Sequence, residues 1–401
     1  MIHRFRVNNF QSIREDVELD FRIPGTTPER PYFRRSFSRP DVRLPSVVAL
    51  VGPNGSGKTA LLRAIVETIR FAARSYDQSL IPGFVPFLAP ETKTAPTQVE
   101  VHFDARWPCC GSSKDTSLLR YTLKLERDDP RNLAPTRVSY EALHAFPKGR
   151  PRRIFERRRG KAIYIAREMK VRPRDDRLAS IPSNASAISA LAKMGVGSFP
   201  TIAQDIANVQ TNIFGSDPWR PDTATITRLY RDNQELVEQV SDRLHRFDLG
   251  IGSMVPEMLP DGSWLLTFKH RGLDTPVVLP KESAGTRHLV HVYPQLHFVL
   301  DSGHLAIMDA LDADFHTELT AEILGWFRRK DTNPNGAQLI CSLHNLSVLD
   351  GLEKEEVFVI EKSSDGATRA HGASDVAGLR RGGNLEKQYR SGVMGGLPTF
   401  G

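Results

Sequence analysis

One eight-residue motif constrains the fold of this chain more than any other feature. Residues 52–59 read GPNGSGKT, which matches the pattern G-x-x-x-x-G-K-[ST]. Glycines let the backbone curl so that successive N–H groups point at phosphate oxygens, and the helix that follows adds its positive N-terminus. In this pattern the lysine reaches the β- and γ-phosphates and the threonine hydroxyl reaches Mg²⁺. The motif therefore predicts a buried strand, a phosphate-binding loop and a helix, in that order.

The residues on either side of this motif agree with that order. Residues 46–51 read SVVALV, a short and continuous apolar run that is typical of a parallel strand buried on both faces. After the motif, apolar residues recur at helical spacing from Leu61 to Ala72. The alternative is a glycine-rich turn that only caps a helix, and this context disfavours it. The candidate nucleotide-binding residues are Asn54, Gly55, Ser56, Gly57, Lys58 and Thr59.

Two later strand patterns each lead to a residue that a nucleotide site needs. A phosphate loop works with an acidic residue at the end of a neighbouring strand, which holds magnesium. The apolar run at residues 305–308 ends at Asp309, so we predict that Asp309 and Thr59 hold Mg²⁺, although a strand-end acid can also simply face solvent. The run at residues 338–342 leads to His344, which is either a contact for the γ-phosphate or a structural histidine.

A third segment predicts a second anion site. Residues 281–287 read KESAGTR and lead into a helix that we expect to begin near Arg287. A serine followed by small residues at a helix N-terminus binds anions, so Ser283 and Gly285 are candidates, and a plain helix cap is the alternative. Two phosphate sites far apart in one chain have a natural explanation, in which each site closes on the nucleotide held by a second copy.

The positive charge of the chain is concentrated in one segment. The 401 residues contain 54 Lys and Arg against 47 Asp and Glu, a formal net charge of +7. Residues 148–177, here called the basic segment, hold thirteen basic and four acidic side chains, a balance of +9, so the rest of the chain sums to −2. This distribution argues against a nucleic-acid coat protein. The basic segment is interpreted as a solvated, arginine-rich sheet face, as a contact for an acidic protein or a neighbouring subunit, or as a contact for DNA or RNA.

Membrane and disulfide signals are weak. No window approaches eighteen consecutive apolar residues, so we expect no transmembrane helix and no membrane partner. The first ten residues lack the apolar core of a signal peptide. The three cysteines, of which Cys109 and Cys110 are adjacent, give neither a disulfide framework nor a zinc spacing. These features predict a cytoplasmic location.

The order of patterns along the chain predicts an α/β fold. Strand patterns separated by Pro and Gly turns run from about residue 97 to 167, as a meander of hairpins requires. Residues 185–247 have helical periodicity, with one long helix expected between Ile226 and Phe247. Residues 252–279 return to strands, and from residue 281 helices and strands alternate. The two ends of the chain therefore build one head.

These motifs, in this order, resemble the ATPase heads of the ABC, SMC and RecF proteins, and more narrowly the stand-alone bacterial ATPases related to the OLD family. The resemblance is carried by NNFQSIRED, GPNGSGKTALLRAI, ESAGTRHL, LAIMDALDADFHTEL, QLICSLHNLSVLD and the tail NLEKQYRSGVMGGLP. It implies a P-loop NTPase with an ABC-ATPase-like head, made of a mixed sheet and a β-meander lobe, and an inserted helical segment. The implied divisions are the N-terminal part of the head at residues 1–105, the basic β-meander lobe at 106–180, the helical insertion at 181–250 and the C-terminal part of the head at 251–401.

In such families two heads enclose two ATP molecules. The resemblance therefore implies ATP and Mg as cofactors and a homodimer, or a higher homo-oligomer, that forms through the heads. The roles that it implies are contact with the partner head's nucleotide for Ser283 and Gly285, support of Mg²⁺ for Asp309, the D-loop between heads for Asp312 to His316, and the switch histidine for His344.

One residue departs from the family pattern. The family places a glutamate directly after the strand-end aspartate, as the base that orients the attacking water, and here that position is Ala310. A methyl group can neither accept a proton nor position water. Three interpretations are open, namely a deliberate Glu→Ala change that traps the ATP-bound state, a natural loss of hydrolysis, and recruitment of Asp312 as a displaced base. We predict that the chain binds ATP with Mg²⁺ and turns it over slowly.

The resemblance also implies a biological role. Relatives of this kind often occur in bacterial anti-phage systems, where they control a separate effector that is frequently a TOPRIM-type nuclease. About forty residues follow the apolar run at residues 357–360, so we expect no nuclease domain in this chain and a partner encoded separately. Three functions are compatible with the sequence, namely an ATP-gated defence ATPase that controls an effector, a RecF-like repair ATPase that clamps DNA, and a non-hydrolysing, nucleotide-dependent scaffold.

Overall fold

The computed structural model describes residues 1–77, 83–107, 116–129, 131–132, 135–172, 175–213, 222–247 and 250–397. Cys109 and Cys110 lie outside the described residues. Within them the strands are β1 (Ile2–Asn8), β2 (Val17–Asp20), β3 (Phe33–Arg35), β4 (Arg43–Pro45), β5 (Val47–Val51), β6 (Thr97–Arg106), β7 (Thr116–Glu126), β8 (Arg137–Ala145), β9 (Arg152–Arg158), β10 (Lys161–Ile165), β11 (Val209–Thr211), β12 (Ile251–Met258), β13 (Trp264–His270), β14 (Val277–Val278), β15 (Leu305–Met308), β16 (Gln338–Ser342), β17 (Val357–Lys362) and β18 (Thr368–Gly372). The α-helices are α1 (Lys58–Arg74), α2 (Asp176–Ala179), α3 (Ala187–Lys193), α4 (Phe199–Ala207), α5 (Thr223–Arg231), α6 (Gln234–Phe247), α7 (Ala284–Ser302), α8 (Thr317–Arg328) and α9 (Leu385–Arg390).

A mixed sheet carries the phosphate-binding motif. Its strand order is β11-β15-β16-β5-β17-β18, in which the first five strands run parallel and β18 pairs antiparallel with β17. The central strand β5 is buried on both faces, because Val48 packs into one hydrophobic core and Ala49 into the other. Parallel strands end at the same edge of a sheet, so the residues that follow β5, β15 and β16 are brought together there.

A second, antiparallel sheet packs over one face of the mixed sheet. Its order within the described residues is β10-β9-β8-β7-β6-β1-β2, so the strands of the meander continue the sheet that the N-terminal strand begins. Alternate residues of β7, such as Leu119, Tyr121 and Leu123, are buried and join a core that also contains α1, α3 and α4. Period-two alternation of this kind is what a half-buried antiparallel strand requires.

The other face of the mixed sheet is covered by helices. α7 and α8 pack there, and the same core includes α5, α6 and a small sheet of order β12-β13-β14. The architecture is that of an α/β P-loop ATPase head, which confirms the predicted fold class. No helix in the part of the chain that the structure describes is both long and apolar enough to span a bilayer.

The prediction of one continuous helix from Ile226 to Phe247 is wrong, because the helical stripe is interrupted between α5 and α6. Asp232 is the C-terminal cap of α5. The Asn233 side chain then accepts a hydrogen bond from the backbone N–H of Leu236 at 3.1 Å, which caps the start of α6. Asp and Asn side chains compete with the helical backbone for hydrogen bonds, so two of them in succession favour a break over continuation.

Candidate nucleotide-binding site

The phosphate loop joins the end of β5 to the start of α1, and two of its glycines are required by close contacts. Gly52 has φ 151°, and a Cβ atom there would overlap the carbonyl oxygen of Ile360. Gly57 has φ 111°, is the N-cap of α1, and faces the side chain of Thr368 so closely that a Cβ atom would overlap it. Only glycine combines these backbone angles with the absence of a side chain.

Lys58 points back into the loop. Its Nζ donates hydrogen bonds to the carbonyl oxygens of Gly52 at 2.7 Å and Pro53 at 3.1 Å. Burial lowers the pKa of Lys58, while the carboxylates of Asp309 and Asp312 act in the opposite direction. An ammonium group that is desolvated and held by neutral carbonyl oxygens is stabilised when an anion approaches, because the anion restores the electrostatic stabilisation that burial removed.

Ser56 provides a second sign that the loop is built for a ligand. Its Oγ atom is buried and has no hydrogen-bond partner among the described residues. Buried hydroxyl groups are normally hydrogen-bonded, and an orphaned one points to a missing partner. A phosphate oxygen in the loop would supply that partner, so the residues present fit a bound nucleotide.

Asp309 lies directly after β15 and is held from three directions. The Thr59 hydroxyl donates to its Oδ2 at 2.8 Å and the Ser342 hydroxyl donates to its Oδ1 at 2.6 Å. The side-chain amide of Asn212 brackets its backbone, with Nδ2 donating to the Asp309 carbonyl oxygen at 2.7 Å and Oδ1 accepting from its N–H at 2.7 Å. We call Lys58, Thr59 and Asp309 the phosphate-loop corner.

The donor set in this corner suits Mg²⁺. One carboxylate and one hydroxyl are the protein ligands that Mg²⁺ usually takes when phosphates and waters complete its octahedron. No group of three or more His, Cys, Asp or Glu residues that could hold a metal occurs in the described ranges. Thr59 and Asp309 are therefore the residues that would hold Mg²⁺ beside a nucleotide.

Ala310 occupies the position directly after Asp309. It has φ 46°, in the left-handed region, and its N–H donates to the Ser342 hydroxyl at 2.7 Å. Left-handed backbone costs a non-glycine residue roughly 1–2 kcal/mol, so this turn is held by its surroundings. The methyl group offers no proton acceptor at the place where the resemblance expects one.

Asp312, the residue considered as a displaced base, is engaged elsewhere. Its Oδ2 accepts hydrogen bonds from the backbone N–H groups of His344 at 2.7 Å and Asn345 at 2.5 Å. The side chain is buried, and its Oδ1 has no hydrogen-bond partner among the described residues. Asp312 thus fixes the start of the loop that carries His344. His344 itself is exposed and lies just beyond β16.

The second anion candidate lies at the start of α7, which begins at Ala284 and not near Arg287 as predicted. Ser283 is exposed, and its Oγ accepts a hydrogen bond from the backbone N–H of Thr286 at 3.1 Å, so it caps the helix. A Cβ atom on Gly285 would lie 2.8 Å from the carbonyl oxygen of Asp314, which shows how closely this segment packs on residues 312–316.

The residues 312–316 lead directly into α8. His316 is exposed and is the N-cap of that helix, with its Nδ1 accepting from the Glu318 N–H at 3.3 Å. The ring centroids of His288 and Phe315 lie 4.5 Å apart, so this contact packs α7 against the same segment. The segment around Ser283 and the segment at residues 312–316, which are both predicted to face a partner head, therefore pack against each other. Among the described residues, no hydrogen bond joins Ser283 to residues 52–59.

Comparison with known proteins identifies the family. Residues 47–350 match the protein family described as "AAA domain, putative AbiEii toxin, Type IV TA system". This match spans 304 of the 401 residues. The chain belongs to this family. The AAA domain so defined starts at β5 and includes the phosphate loop, Asp309 and His344, and it is a nucleotide-binding ATPase domain. The chain has no significant match among curated proteins.

Solved structures similar to this AAA domain protein include three SMC heads. An SMC head domain from Thermotoga maritima has a TM-score of 0.41 and 14% identity, covering 92% of this chain and 98% of that one. An SMC head bound to the C-winged helix domain of ScpA has a TM-score of 0.47 and 14% identity, covering 92% of this chain and 97% of that one. An SMC head with an extended coiled coil, bound to the ScpA C-terminal domain derived from Pyrococcus furiosus, has a TM-score of 0.44 and 13% identity, covering 97% and 98%.

Three positioning residues of the AAA domain protein were missed by reasoning from the sequence. Asn212 follows β11 and Ser342 ends β16, so the rule that pointed to Asp309, a polar residue at the end of a parallel strand, could have found both. Thr368 carries no such signal. It lies in β18, and its Oγ1 donates to the Ser56 carbonyl oxygen at 2.8 Å, a contact between residues that are 312 positions apart.

The basic segment contributes β9 and β10 of the antiparallel sheet, and β9 sends neighbouring arginines to opposite faces. Arg157 is buried, where its Nε donates to Glu141 Oε2 at 2.7 Å. The side chains of Arg153 and Arg158 are 42% and 64% exposed, and their guanidinium groups lie over the rings of Tyr164 and Tyr140. The interpretation of the basic segment as a solvated, arginine-rich sheet face is therefore wrong for Arg157. Residues 173–174 and the Lys148 side chain lie outside the described part of the basic segment.

Proposed function

We propose that this AAA domain protein binds ATP together with Mg²⁺ at the phosphate-loop corner. The observation that carries the proposal is the hydrogen bond between Thr59 and Asp309, which joins the loop to the end of β15. The loop N–H groups from Asn54 to Lys58 and the Lys58 ammonium group bind phosphate oxygens, with the Ser56 hydroxyl as a further donor. When bound, Mg²⁺ supplies neutralisation of the β- and γ-phosphate charge.

The Mg²⁺ part of this proposal is tested by calorimetry with ATP in the presence and absence of the metal. Thr59→Val keeps the shape of the side chain and removes the hydroxyl. We expect this variant to lose most of the Mg²⁺-dependent gain in ATP affinity. ATP affinity that is the same with and without Mg²⁺ in the wild-type chain would overturn the assignment of Thr59 and Asp309 to the metal.

We also propose that hydrolysis at this site is slow. Ala310 cannot position an attacking water, and the Asp312 carboxylate is buried and bound to the backbone of the loop with His344. His344 itself is exposed beyond β16, where it contacts the γ-phosphate in our proposal. Robust steady-state ATPase activity that is abolished by Asp312→Asn would favour the displaced base instead. Whether Ala310 is natural or introduced does not alter this chemistry.

Two copies, in our proposal, close around two ATP molecules. Ser283 and Gly285 of each copy face the nucleotide of the other, and Asp312 to His316 line the contact as the D-loop. Support comes from the exposure of Ser283 and from the close packing of Gly285 on Asp314, within the segment at residues 312–316. Light scattering with and without ATP tests it, since the mass should double with ATP in the wild-type chain and stay monomeric in Ser283→Arg. A Ser283→Arg chain that still dimerises with ATP would count against this surface.

For the biological role we propose an ATP-gated ATPase of a cytoplasmic bacterial defence system, which controls a separate effector, a TOPRIM-type nuclease. The family description, which names a toxin of a toxin–antitoxin system, and the resemblance to OLD-related ATPases support this role. The test is purification from the native host after phage infection, with the mass and nucleotide content of the complex determined. A bare monomer without bound protein or nucleotide contradicts it.

A second candidate is an ATPase that clamps nucleic acid, as RecF-like proteins do. One observation favours it, which is that exposed arginines of the basic segment stack on tyrosines along the outer face of the antiparallel sheet. Aromatic rings interleaved with guanidinium groups bind nucleic acids through stacking and charge. Binding of a labelled duplex and a labelled single strand in a salt series, with and without ATP, distinguishes this candidate from a protein-binding face.

A further inference from the structure

The exposed Ser283 directly follows a buried carboxylate. Glu282 belongs to the buried charged residues of the chain, while its neighbour Ser283 is exposed at the start of α7. Burying a carboxylate is costly unless a partner in the fold compensates for the lost water. A buried glutamate beside a serine that is proposed to reach a partner's nucleotide therefore needs a physical reason, and the reason lies in what holds it.

The partner of Glu282 is His270, which ends β13 of the small sheet. His270 Nε2 lies 2.6 Å from Glu282 Oε1, and since a carboxylate only accepts, Nε2 donates this hydrogen bond. The two side chains are 19% and 4% exposed, so the bond is largely shielded from water. A hydrogen bond to a carboxylate is stronger than one between neutral groups, and shielding strengthens it further. This bond connects the residue before Ser283 to the small sheet.

The strand that carries His270 is itself held in place. His270 pairs with Ile251 of β12. From α6, His245 Nδ1 donates to the Ile251 carbonyl oxygen at 3.2 Å, and Arg271 Nη2 donates to His245 Nε2 at 3.2 Å. An imidazole ring with one donor nitrogen and one acceptor nitrogen makes both contacts. His270 is thus a fixed anchor for Glu282, because β12 and α6 hold the strand on which it lies.

The contacts of the Glu282 backbone are local in sequence. Its N–H donates to the carbonyl oxygen of Leu279 at 3.1 Å, and Arg287 Nη1 donates to its carbonyl oxygen at 2.5 Å. Such contacts fix the shape of the loop around Ser283. The bond to His270 is different, because it joins elements twelve residues apart in the chain and so fixes where that loop lies on the head.

We propose that Glu282 is a positioning residue which, held by His270, places Ser283 of one copy against the nucleotide of the other copy. This role rests on the proposed closure of two copies around ATP. A serine hydroxyl bonds a phosphate oxygen only within about 3 Å, so a small displacement of the loop is enough to lose the contact. Glu282 itself does not touch the nucleotide and acts through Ser283.

The test is the Kd of the ATP-loaded dimer, measured on the full chain with Mg²⁺ by analytical ultracentrifugation. We expect Glu282→Ala to raise this Kd at least about tenfold, because the loop loses its anchor. Glu282→Gln, whose amide oxygen still accepts from His270, should stay within about threefold of the wild-type chain. Glu257→Ala, which removes an exposed carboxylate from β12, is the matched control and should leave the Kd unchanged.

A second variant tests the partner of Glu282. His270→Ala changes a half-buried position, so it also replaces Glu282→Ala if that chain does not fold. We expect the same rise in the dimer Kd, at least about tenfold. The double variant should be no weaker than the weaker single variant, because both changes remove one and the same hydrogen bond. Losses that add in the double variant contradict the pairing of His270 with Glu282.

Mixed dimers separate a displaced loop from a general loss of structure. A Glu282→Ala chain keeps its own phosphate loop, and a Lys58→Ala chain keeps its Ser283 loop. A mixture of the two therefore forms one site in which both parts are intact. We expect the mixture to dimerise with ATP more tightly than either variant alone. A mixture that dimerises no more tightly than the separate variants contradicts a role of Glu282 across the interface.

The wild-type chain tells the two levels of the proposal apart. If it stays monomeric with ATP, the proposed closure fails, and the role of Glu282 fails with it. If it dimerises with ATP while Glu282→Ala or His270→Ala dimerises equally well, the closure stands and only the positioning role of Glu282 is overturned.

Discussion

In the phosphate-loop corner, polar side chains converge on one point from separate elements, whereas in the basic segment neighbouring side chains diverge to opposite faces of one strand. Thr59 from α1 and Ser342 from β16 both bond to the carboxylate of Asp309. Arg157 and Arg158, adjacent in β9, instead lie in the core and at the surface. Polar side chains thus meet at one carboxylate in the first region and divide between the core and the surface in the second.

The difference follows from what fixes each region. A phosphate loop is built mostly from backbone, and parallel strands end together, so the order of motifs along the chain is enough to place the corner. A charged strand is placed by its alternation and by partners that lie far away in sequence. Arg157 is buried because Glu141 meets it, and the Glu141 carboxylate also accepts from the Tyr121 hydroxyl at 2.8 Å and from the Ala187 N–H.

The largest effect is expected in the corner from Ala310→Glu. A positioned general base contributes about 10²- to 10⁴-fold to rate, so we expect steady-state ATP turnover to rise by that factor. The measurement is phosphate release at saturating ATP and Mg²⁺. Ala310→Gln, which adds a similar side chain without a base, is the control and should stay slow. Unchanged turnover in Ala310→Glu would show that the missing carboxylate does not limit hydrolysis.

In the basic segment the largest effect is expected for Arg157→Met. Removing one partner of a buried ion pair strands the other charge, here Glu141, and costs about 3–5 kcal/mol of unfolding free energy. Arg158→Met, one residue away but exposed, should change it by less than about 0.5 kcal/mol. Urea unfolding of both variants measures the contrast. Equal losses of unfolding free energy for the two variants would contradict the distinction between the buried and exposed faces of β9.

Lys58→Ala should act on binding and not on the fold. The lysine provides charge-assisted hydrogen bonds to phosphate at about 1.5 kcal/mol each, so loss of two of them weakens ATP binding about 100-fold. Lys161→Ala, in the basic segment, is the matched control and should leave ATP affinity unchanged. Calorimetry with ATP and Mg²⁺ measures both. Similar ATP affinity for Lys58→Ala and the wild-type chain would show that Lys58 does not bind the nucleotide.

The smallest effect is expected on the outer face of the basic segment. If Arg153 and Arg158 contact nucleic-acid phosphates, each change to Gln lowers the salt slope of binding by about 1. The measurement is anisotropy of a labelled oligonucleotide across a salt series. If the slope is unchanged in both variants, these arginines form a solvated face and the nucleic-acid candidate loses its support.

The sequence predicts the phosphate loop, the strand ends at Asp309 and His344, and the α/β architecture, because each depends on local patterns or on the geometry of parallel strands. It does not predict the contacts that Thr368 and Glu141 make, because their partners are distant in the chain and only tertiary packing brings them together. The break between α5 and α6 was missed because a continuous apolar stripe outweighed the capping signal of Asn233.

The state of the bound nucleotide tests the central claim most directly. The wild-type chain is mixed with radiolabelled ATP and Mg²⁺ at a protein excess, and the nucleotide on the protein is identified over time. We predict bound ATP that persists for many times the roughly 0.001–1 s of an ordinary enzymatic turnover. Nucleotide recovered as ADP within that time, or no nucleotide retained on the protein, would contradict an ATP site that binds well and hydrolyses slowly.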